Sequence, residues 1–370
     1  MPAFASQYRP STPKVRHPCH ASLACSVGNG APARQRSAPH GAIALQPPEA
    51  DPPRNWHPTC TSHGRKRRFP MRFRNILFPV DFSARSHAAV PHVRAMAEHF
   101  GASVTLLHVV EGPASWAAAS DGGYFVEFDL PRMMKDADER LAAFAAVDFP
   151  AASPNSTSVT RMVEQGDPGT AIAELAQAWH SDLIMLPTHG RGAFRSALLG
   201  STTAKVLHDA HCAVWTGAHL EDATLPSHTS IHTVMCSLDL DEGSLDLLKG
   251  TAHFADAWKA NGYIVHSVPG TDTRPDMYFD QPLEAFLKDN ARKAIAKLQM
   301  EAGTSFGVCL EAGNVADVVH DAATHHKADM VVIGRGTINR FAGRLRTHAY
   351  GIIRDAGCPV LSLPPRELVF

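Results

Sequence analysis

The chain has 370 residues, a formal net charge of -1 and an apolar fraction of 44%. That length predicts two or three domains. It holds no apolar run near the roughly 18 residues needed to cross a bilayer, and its balanced charge argues against a general nucleic-acid binder, which would be far more basic.

The seven cysteines, Cys19, Cys25, Cys60, Cys212, Cys236, Cys309 and Cys358, are odd in number and scattered. They outline no disulfide framework. Cys212, Cys236 and Cys358 sit in apolar, strand-like runs and read as small buried hydrophobes. A reducing cytoplasm is the expected location.

Residues 1–70 carry ten Lys/Arg against only Glu49 and Asp51, and are rich in Pro, Ser and His. With neither a strand nor a helix period, this segment lacks the apolar surface to offset its ordering entropy. It is expected to be a disordered basic tail, or an extension upstream of a true start at Met71. Two sharper readings are weaker. Arg65-Lys66-Arg67-Arg68 could touch nucleic acid or a membrane surface. His17, Cys19, His20, Cys60 and His63 could take zinc, although their spacings match no standard structural site.

Regular structure is expected from Met71. Asn75–Val80 is a short apolar run fit for a buried strand. Ser83 can cap the helix that follows, whose Val90, Val93, Ala97 and Phe100 share a face. Gly101 ends it, and Pro91 is expected to kink it. Ser103–Val110 is a second strand, followed by a loop over 112–130. A helix with Met134, Ala137, Leu141 and Phe144 on one face comes next, then a third strand at Ser158–Val163. Asp167-Pro168 opens a helix, with a capping Asp and Pro at its first position. Asp182–Leu186 is a fourth strand, Gly190 to Gly200 a loop, Ser201 a helix start and Cys212–Trp215 a fifth strand. Strands alternating with helices predict an α/β fold with a doubly wound parallel sheet.

The pattern then repeats. Residues 218–230 read as a linker. Thr233–Leu238 with Asp239 mirrors the first strand and Asp81, Tyr263–Val268 the second strand, and Asp329–Ile333 the fourth. Ile353 to Val360 mirrors Leu207 to Val214. Matching elements in one order predict an internal duplication, with domains at 71–217 and 231–363 and a C-terminal tail at 364–370.

The chemistry centres on Pro187-Thr188-His189-Gly190, followed nine residues later by Gly200-Ser201. The loop leaves an apolar strand and ends on a helix start, where free N–H groups and the positive dipole end favour an anion. Glycines let the backbone approach phosphate oxygens. Ser201, Thr202 and Thr203 add hydroxyls, and Arg191 and Lys205 could add charge. Parallel sheets bind ligands at the carboxyl ends of their strands, so Asp81 and Val109 are expected in the same crevice. The spacing is neither a Walker A loop nor G-x-G-x-x-G.

At these residues the chain resembles the universal stress protein family. The matching segments are Ile76-Leu-Phe-Pro-Val-Asp81-Phe-Ser83, Leu106-Leu-His-Val109-Val110, Thr188-His-Gly-Arg-Gly192 and Leu198-Leu-Gly-Ser201. The resemblance covers about residues 73–217 and again 231–363. It implies two tandem five-stranded, Rossmann-like domains of the adenine nucleotide α-hydrolase type. The family divides into ATP binders, which carry G-x2-G-x9-G-[ST], and non-binders. The resemblance thus implies ATP or a related adenine nucleotide in the first domain. Pro79, Val80, Asp81 and the backbone of Val109 would face adenine or ribose. Thr188, His189, Gly190, Arg191, Gly200, Ser201, Thr202 and Thr203 would lie at the phosphates. Magnesium could reach Asp81. It also implies that the two domains pair within one chain as two chains pair in single-domain members, with homo-oligomers open.

Two departures stand out. Pro187 replaces the family's first glycine, which removes an N–H and fixes φ. In the second copy Gly334-Arg335-Gly336 keeps part of the strand exit, but Arg346-Thr347 stands where the first has Gly200-Ser201. That copy reads as degenerate, with arginines facing solvent or its partner; a modified anion site at Arg335, Arg344 and Arg346 is the sharper alternative. His108 and His189 lie near the crevice without a visible acid–base partner. His325 and His326 point to different helix faces and read as exposed. No nucleophile–base pair supports a triad. Three functions follow: a regulatory nucleotide holder with slow or no hydrolysis, a ligand-free interaction module closed by Pro187, and an adenylating enzyme, for which no second substrate domain is visible.

Overall fold

The computed structural model describes residues 72–112, 129–150, 157–188, 199–217, 229–270, 281–335 and 347–364. The first repeat runs β1 (Asn75–Pro79), α1 (Ala84–Phe100), β2 (Ser103–Val110), α2 (Leu130–Asp148), β3 (Val159–Gln165), α3 (Pro168–Ala178), β4 (Leu183–Pro187), α4 (Ser201–Asp209) and β5 (Ala213–Gly217). The second runs β6 (Thr233–Ser237), α5 (Ser244–Trp258), β7 (Asn261–Val268), α6 (Gln281–Ala302), β8 (Gly307–Ala312), α7 (Val315–His325), β9 (Met330–Gly334), α8 (Thr347–Asp355) and β10 (Val360–Leu363).

All ten strands join one sheet in the order β3-β2-β1-β4-β5-β10-β9-β6-β7-β8. Within each repeat the neighbouring strands pair in parallel. The repeats meet at β5 and β10, which pair antiparallel with Trp215 opposite Leu361. The central strands are largely apolar, as strands covered on both faces are: Leu183–Pro187 and Ala213–Gly217 are wholly buried. Thr216 and Ser362, each 1% exposed, donate their hydroxyls across the seam to Val360 O and Val214 O. Buried hydroxyls need such partners.

The cores also cross the seam. On one face Val93 and Met96 of α1 and Leu141 of α2 share a cluster with Phe254 of α5 and Met330 of β9. On the other, Ile172 of α3 and Val206 of α4 share one with Val319 of α7 and Ile353 of α8. Phe73 and Phe100 of the first repeat stack toward Phe254 of the second, and His99 lies flat on Trp258 at 3.7 Å.

Local chemistry explains the element ends. Ser83 accepts from Ser86 N, and Asp167 from Thr170 N, as helix N-caps. Gly101 closes α1 at φ 65°. The same left-handed position after α5 is held by Lys259 at φ 54°. Pro91 lies exposed within α1, which continues from Ala84 to Phe100. Asp182 Oδ2 accepts from Arg74 N and Asn75 N at the start of β1, and Asp329 Oδ2 accepts from His232 N and Thr233 N at the start of β6, with the same pair of distances, 2.7 and 2.9 Å. The duplication therefore extends to individual hydrogen bonds. Among the described residues no helix is long and apolar enough to cross a membrane. The basic tail and the 218–228 part of the linker lie outside the described residues.

Candidate functional site

The strand order in the first repeat reverses between β1 and β4, and ligand crevices in such sheets open at that reversal, beyond the carboxyl ends of the strands. Three segments reach it. The turn Asp81–Ser83 follows β1, Val109 and Val110 end β2, and Pro187-Thr188 leads from β4 into the loop that returns at Gly200.

Asp81 is fixed by the helix it precedes. Its Oδ1 accepts from Ser83 N at 3.0 Å and from Ser86 Oγ at 2.6 Å, and its own N–H donates to Ser86 Oγ at 3.3 Å. Ser86 is 1% exposed, and sequence reading missed it because a serine inside a helix is unremarkable without its partner. Phe82 follows with φ 60°, and Leu240 takes the same place in the second repeat with φ 58°. A bulky residue in the left-handed region carries strain of about 1–3 kcal/mol. Phe82 is packed against the His108 ring at 4.4 Å, with the Arg140 guanidinium 4.2 Å from its centroid.

His108 is tied down: its Nδ1 meets Val80 O at 2.6 Å, and His266 Nδ1 meets Leu238 O at 2.7 Å in the second repeat. Val80 also donates its N–H to Leu107 O, so its backbone serves β2 and it supports the crevice from behind. Pro79 pairs with Leu107 inside the sheet. Val109 is partly buried and packs on the lower core.

At the phosphate end, Thr188 N donates to Gly217 O at 3.3 Å, and Gly200 N donates to Thr188 O at 3.1 Å, which closes the loop at its base. Gly200 has an ordinary φ of -59° and supplies no side chain to cap α4. Its backbone does not require glycine; the absent side chain leaves the helix N–H groups approachable. Ser201 is exposed and Thr202 half-buried, both on this first turn. Thr203 is turned inward, 3% exposed, with its hydroxyl on Pro187 O at 3.1 Å. Lys205 points down the helix to Asp209 at 3.2 Å, and its stem lies against Gly169. His189, Gly190 and Arg191 lie outside the described residues.

Pro187 fits its strand. The pairing of Pro187 with Gly217 uses the N–H of Thr188, so the nitrogen of residue 187 faces away from β5. On that side the β1–β4 ladder has already ended, at Leu77 and Ile184. The sheet loses no bond to the proline. A Cβ on its counterpart Gly334 would come within 3.3 Å of Leu247. With Ser86 matching Ser244, Ala89 stands where the second repeat has Leu247, which leaves room for a side chain at 187.

The second repeat is built differently at the same place. Ser244 pairs with Asp241, two residues beyond Asp239, the counterpart of Asp81: Asp241 N donates to Ser244 Oγ at 3.0 Å, and Ser244 Oγ donates to Asp241 Oδ1 at 3.1 Å. Arg335 does not line an anion site. It is 7% exposed and its guanidinium donates to Leu207 O, Ala210 O and Cys212 O of the first repeat. Arg344 and Arg346 lie outside the described residues.

Elsewhere, burial pushes the Cys212 thiol up to about 11 and those of Cys236 and Cys358 to about 12, so these cysteines are unreactive at neutral pH. His325 is exposed, but His326 turns inward, with Nε2 3.1 Å from Cys309 Sγ and its ring 4.2 Å from that of Tyr263. Burial raises the Cys309 thiol too, so this pair is no activated nucleophile. Among the described residues no group of three or more His, Cys, Asp or Glu could hold a metal.

The sheet order and its strand-end crevices define a doubly wound α/β protein in two repeats. The universal stress protein family model matches residues 72–216 and again 230–364, and the chain belongs to that family, with the stress-response role the family carries. A universal stress protein of Thermus aquaticus is 31% identical over 143 residues, covering 38% of this chain and 96% of its own. Another, from Methanocaldococcus jannaschii, is 29% identical over 142 residues, covering 38% and 80%. The solved structure of a universal stress protein from Archaeoglobus fulgidus aligns with a TM-score of 0.57 at 18% identity, over 79% of this chain and 96% of that one. A universal stress protein structure from Pseudomonas aeruginosa aligns with a TM-score of 0.53 at 18% identity, over 80% and 95%. These structures share the tandem fold.

Proposed function

We propose that the first repeat binds ATP or a related adenine nucleotide, and that the protein serves the stress response by holding it rather than by fast turnover. The observation that carries this reading is the start of α4. Its N–H groups follow β4 at the β1–β4 reversal, and the N-cap residue, Gly200, has no side chain to cap them. Uncapped N–H groups and the helix dipole suit phosphate.

Asp81 and the backbone of Val109 would meet the nucleoside. Thr188, Gly200, Ser201 and Thr202, with His189, Gly190 and Arg191 from the loop, would meet the phosphates. Asp81 is the carboxylate a magnesium ion would approach. Its Oδ1 already accepts two hydrogen bonds, so such an ion would be held chiefly through the phosphates. His108 is tied to the end of the first strand through its Nδ1 contact with Val80 O.

Calorimetric titration of the full chain with ATP tests the reading. Saturable binding is expected, with adenosine weaker than ATP. No binding at millimolar ATP would contradict it and favour the ligand-free interaction module.

A further inference from the structure

Thr188 and Arg335 occupy matching places. Each follows the fourth strand of its repeat, and each donates its backbone N–H across to the fifth, Thr188 to Gly217 O at 3.3 Å and Arg335 to Leu363 O at 2.9 Å. Their side chains part company. Thr188 is a short side chain, whereas the Arg335 side chain crosses the seam into the first repeat.

There its Nη1 donates to Leu207 O at 3.2 Å and Ala210 O at 2.9 Å, and its Nη2 donates to Cys212 O. These carbonyls belong to the last turn of α4 and the bend just after it. Tyr350 of α8 adds a hydroxyl contact to Ala204 O at 3.5 Å. Arg335 makes no ion pair with a carboxylate among the described residues. Burial lowers its pKa to about 10, which leaves it charged at neutral pH. Its Nε is buried without a partner. A buried cation is costly unless something answers its charge. Here the answer is the negative end of α4, whose last carbonyls have no partner within the helix.

We propose that Arg335 is a positioning residue for the phosphate end of the first repeat's site, acting from the second repeat through α4. The same short helix, nine residues long, offers its N-terminus at Gly200-Ser201 to the anion. By gripping the far end, Arg335 sets the height and direction of that N-terminus against β4. Its charge, about one helix length of roughly 14 Å away, adds to the potential that phosphate meets. In this view the second repeat gave up its own strand-exit site and became a brace for the first. The proposal rests on the nucleotide reading of the first repeat.

Full-length R335M and R335K test it, each titrated with adenosine, AMP and ATP, with the fold followed by circular dichroism. A brace acting at the phosphate end predicts a loss graded with phosphate number. R335M should bind ATP about tenfold more weakly and AMP a few-fold more weakly, with adenosine changed less than about twofold. R335K keeps the charge with a poorer grip and should lose about threefold on ATP. Equal losses on all three ligands, or none on any, would overturn the proposal, because a purely structural seam contact gives no gradient. If R335M does not fold, R335K decides by the same gradient. Wild-type protein that binds none of the three ligands defeats the site reading itself, and the brace with it. Wild-type binding with flat variants defeats the brace alone.

Discussion

Pro187 and Gly334, at matching strand exits, show how little a local sequence rule says without its neighbours. Proline at a phosphate loop reads as a lost donor and a stiffened backbone. In the structure its nitrogen faces away from β5, beyond the end of the β1–β4 ladder, and Thr188 still donates to Gly217 O. Pro187→Gly should therefore change ATP affinity by less than about threefold, well under the tenfold that corresponds to 1.4 kcal/mol. A calorimetric comparison that found binding only in the variant would show that the proline closes the site. Asp81, Gly200 and Ser201 were legible from spacing, because strand-end placement is a backbone property. Ser86, the inward turn of Thr203 and the path of Arg335 were not. Each depends on which side chain faces which across the fold.

Among the elements, the central strands were the most legible, since short, mostly apolar runs such as Leu183–Pro187 are buried. The helix ends followed from their caps: Ser83, Asp167 and Gly101 act as expected. Comparing the repeats exposes one suboptimal end. Lys259, at φ 54°, does after α5 what Gly101, at φ 65°, does after α1. A left-handed non-glycine residue costs about 1 kcal/mol. Lys259→Gly should stabilise the protein by about 0.5–1 kcal/mol, measured by chemical denaturation with the slope unchanged. A loss of stability would mean that the Lys259 side chain matters more than its backbone.

Across the whole molecule, the seam decides behaviour. Sequence reading foresaw two tandem copies of one unit, but not a single sheet with cores running through both, because register across β5 and β10 is set by tertiary packing. His92 of α1 lies at that seam, 5.3 Å from the Trp215 ring, beside a small cavity also lined by Trp258, Ile231 and Met330. Burial holds its pKa below the ordinary 6.5. The folded protein thus keeps His92 neutral, while the unfolded chain takes up a proton near 6.5. This contribution is complete above that value and is lost as pH falls below it. Thermal unfolding from pH 8 to 5.5 should show a falling Tm that flattens in His92→Phe. Equal slopes in both proteins would remove His92 from the account.

The central claim is that the two repeats share one architecture, that the first offers the helix start at Gly200-Ser201 to a nucleotide, and that the second turns Arg335 inward. The stoichiometry of ATP binding to the intact chain tests it most directly. The account predicts one site per chain. Two sites per chain, or none at millimolar ATP, would contradict it.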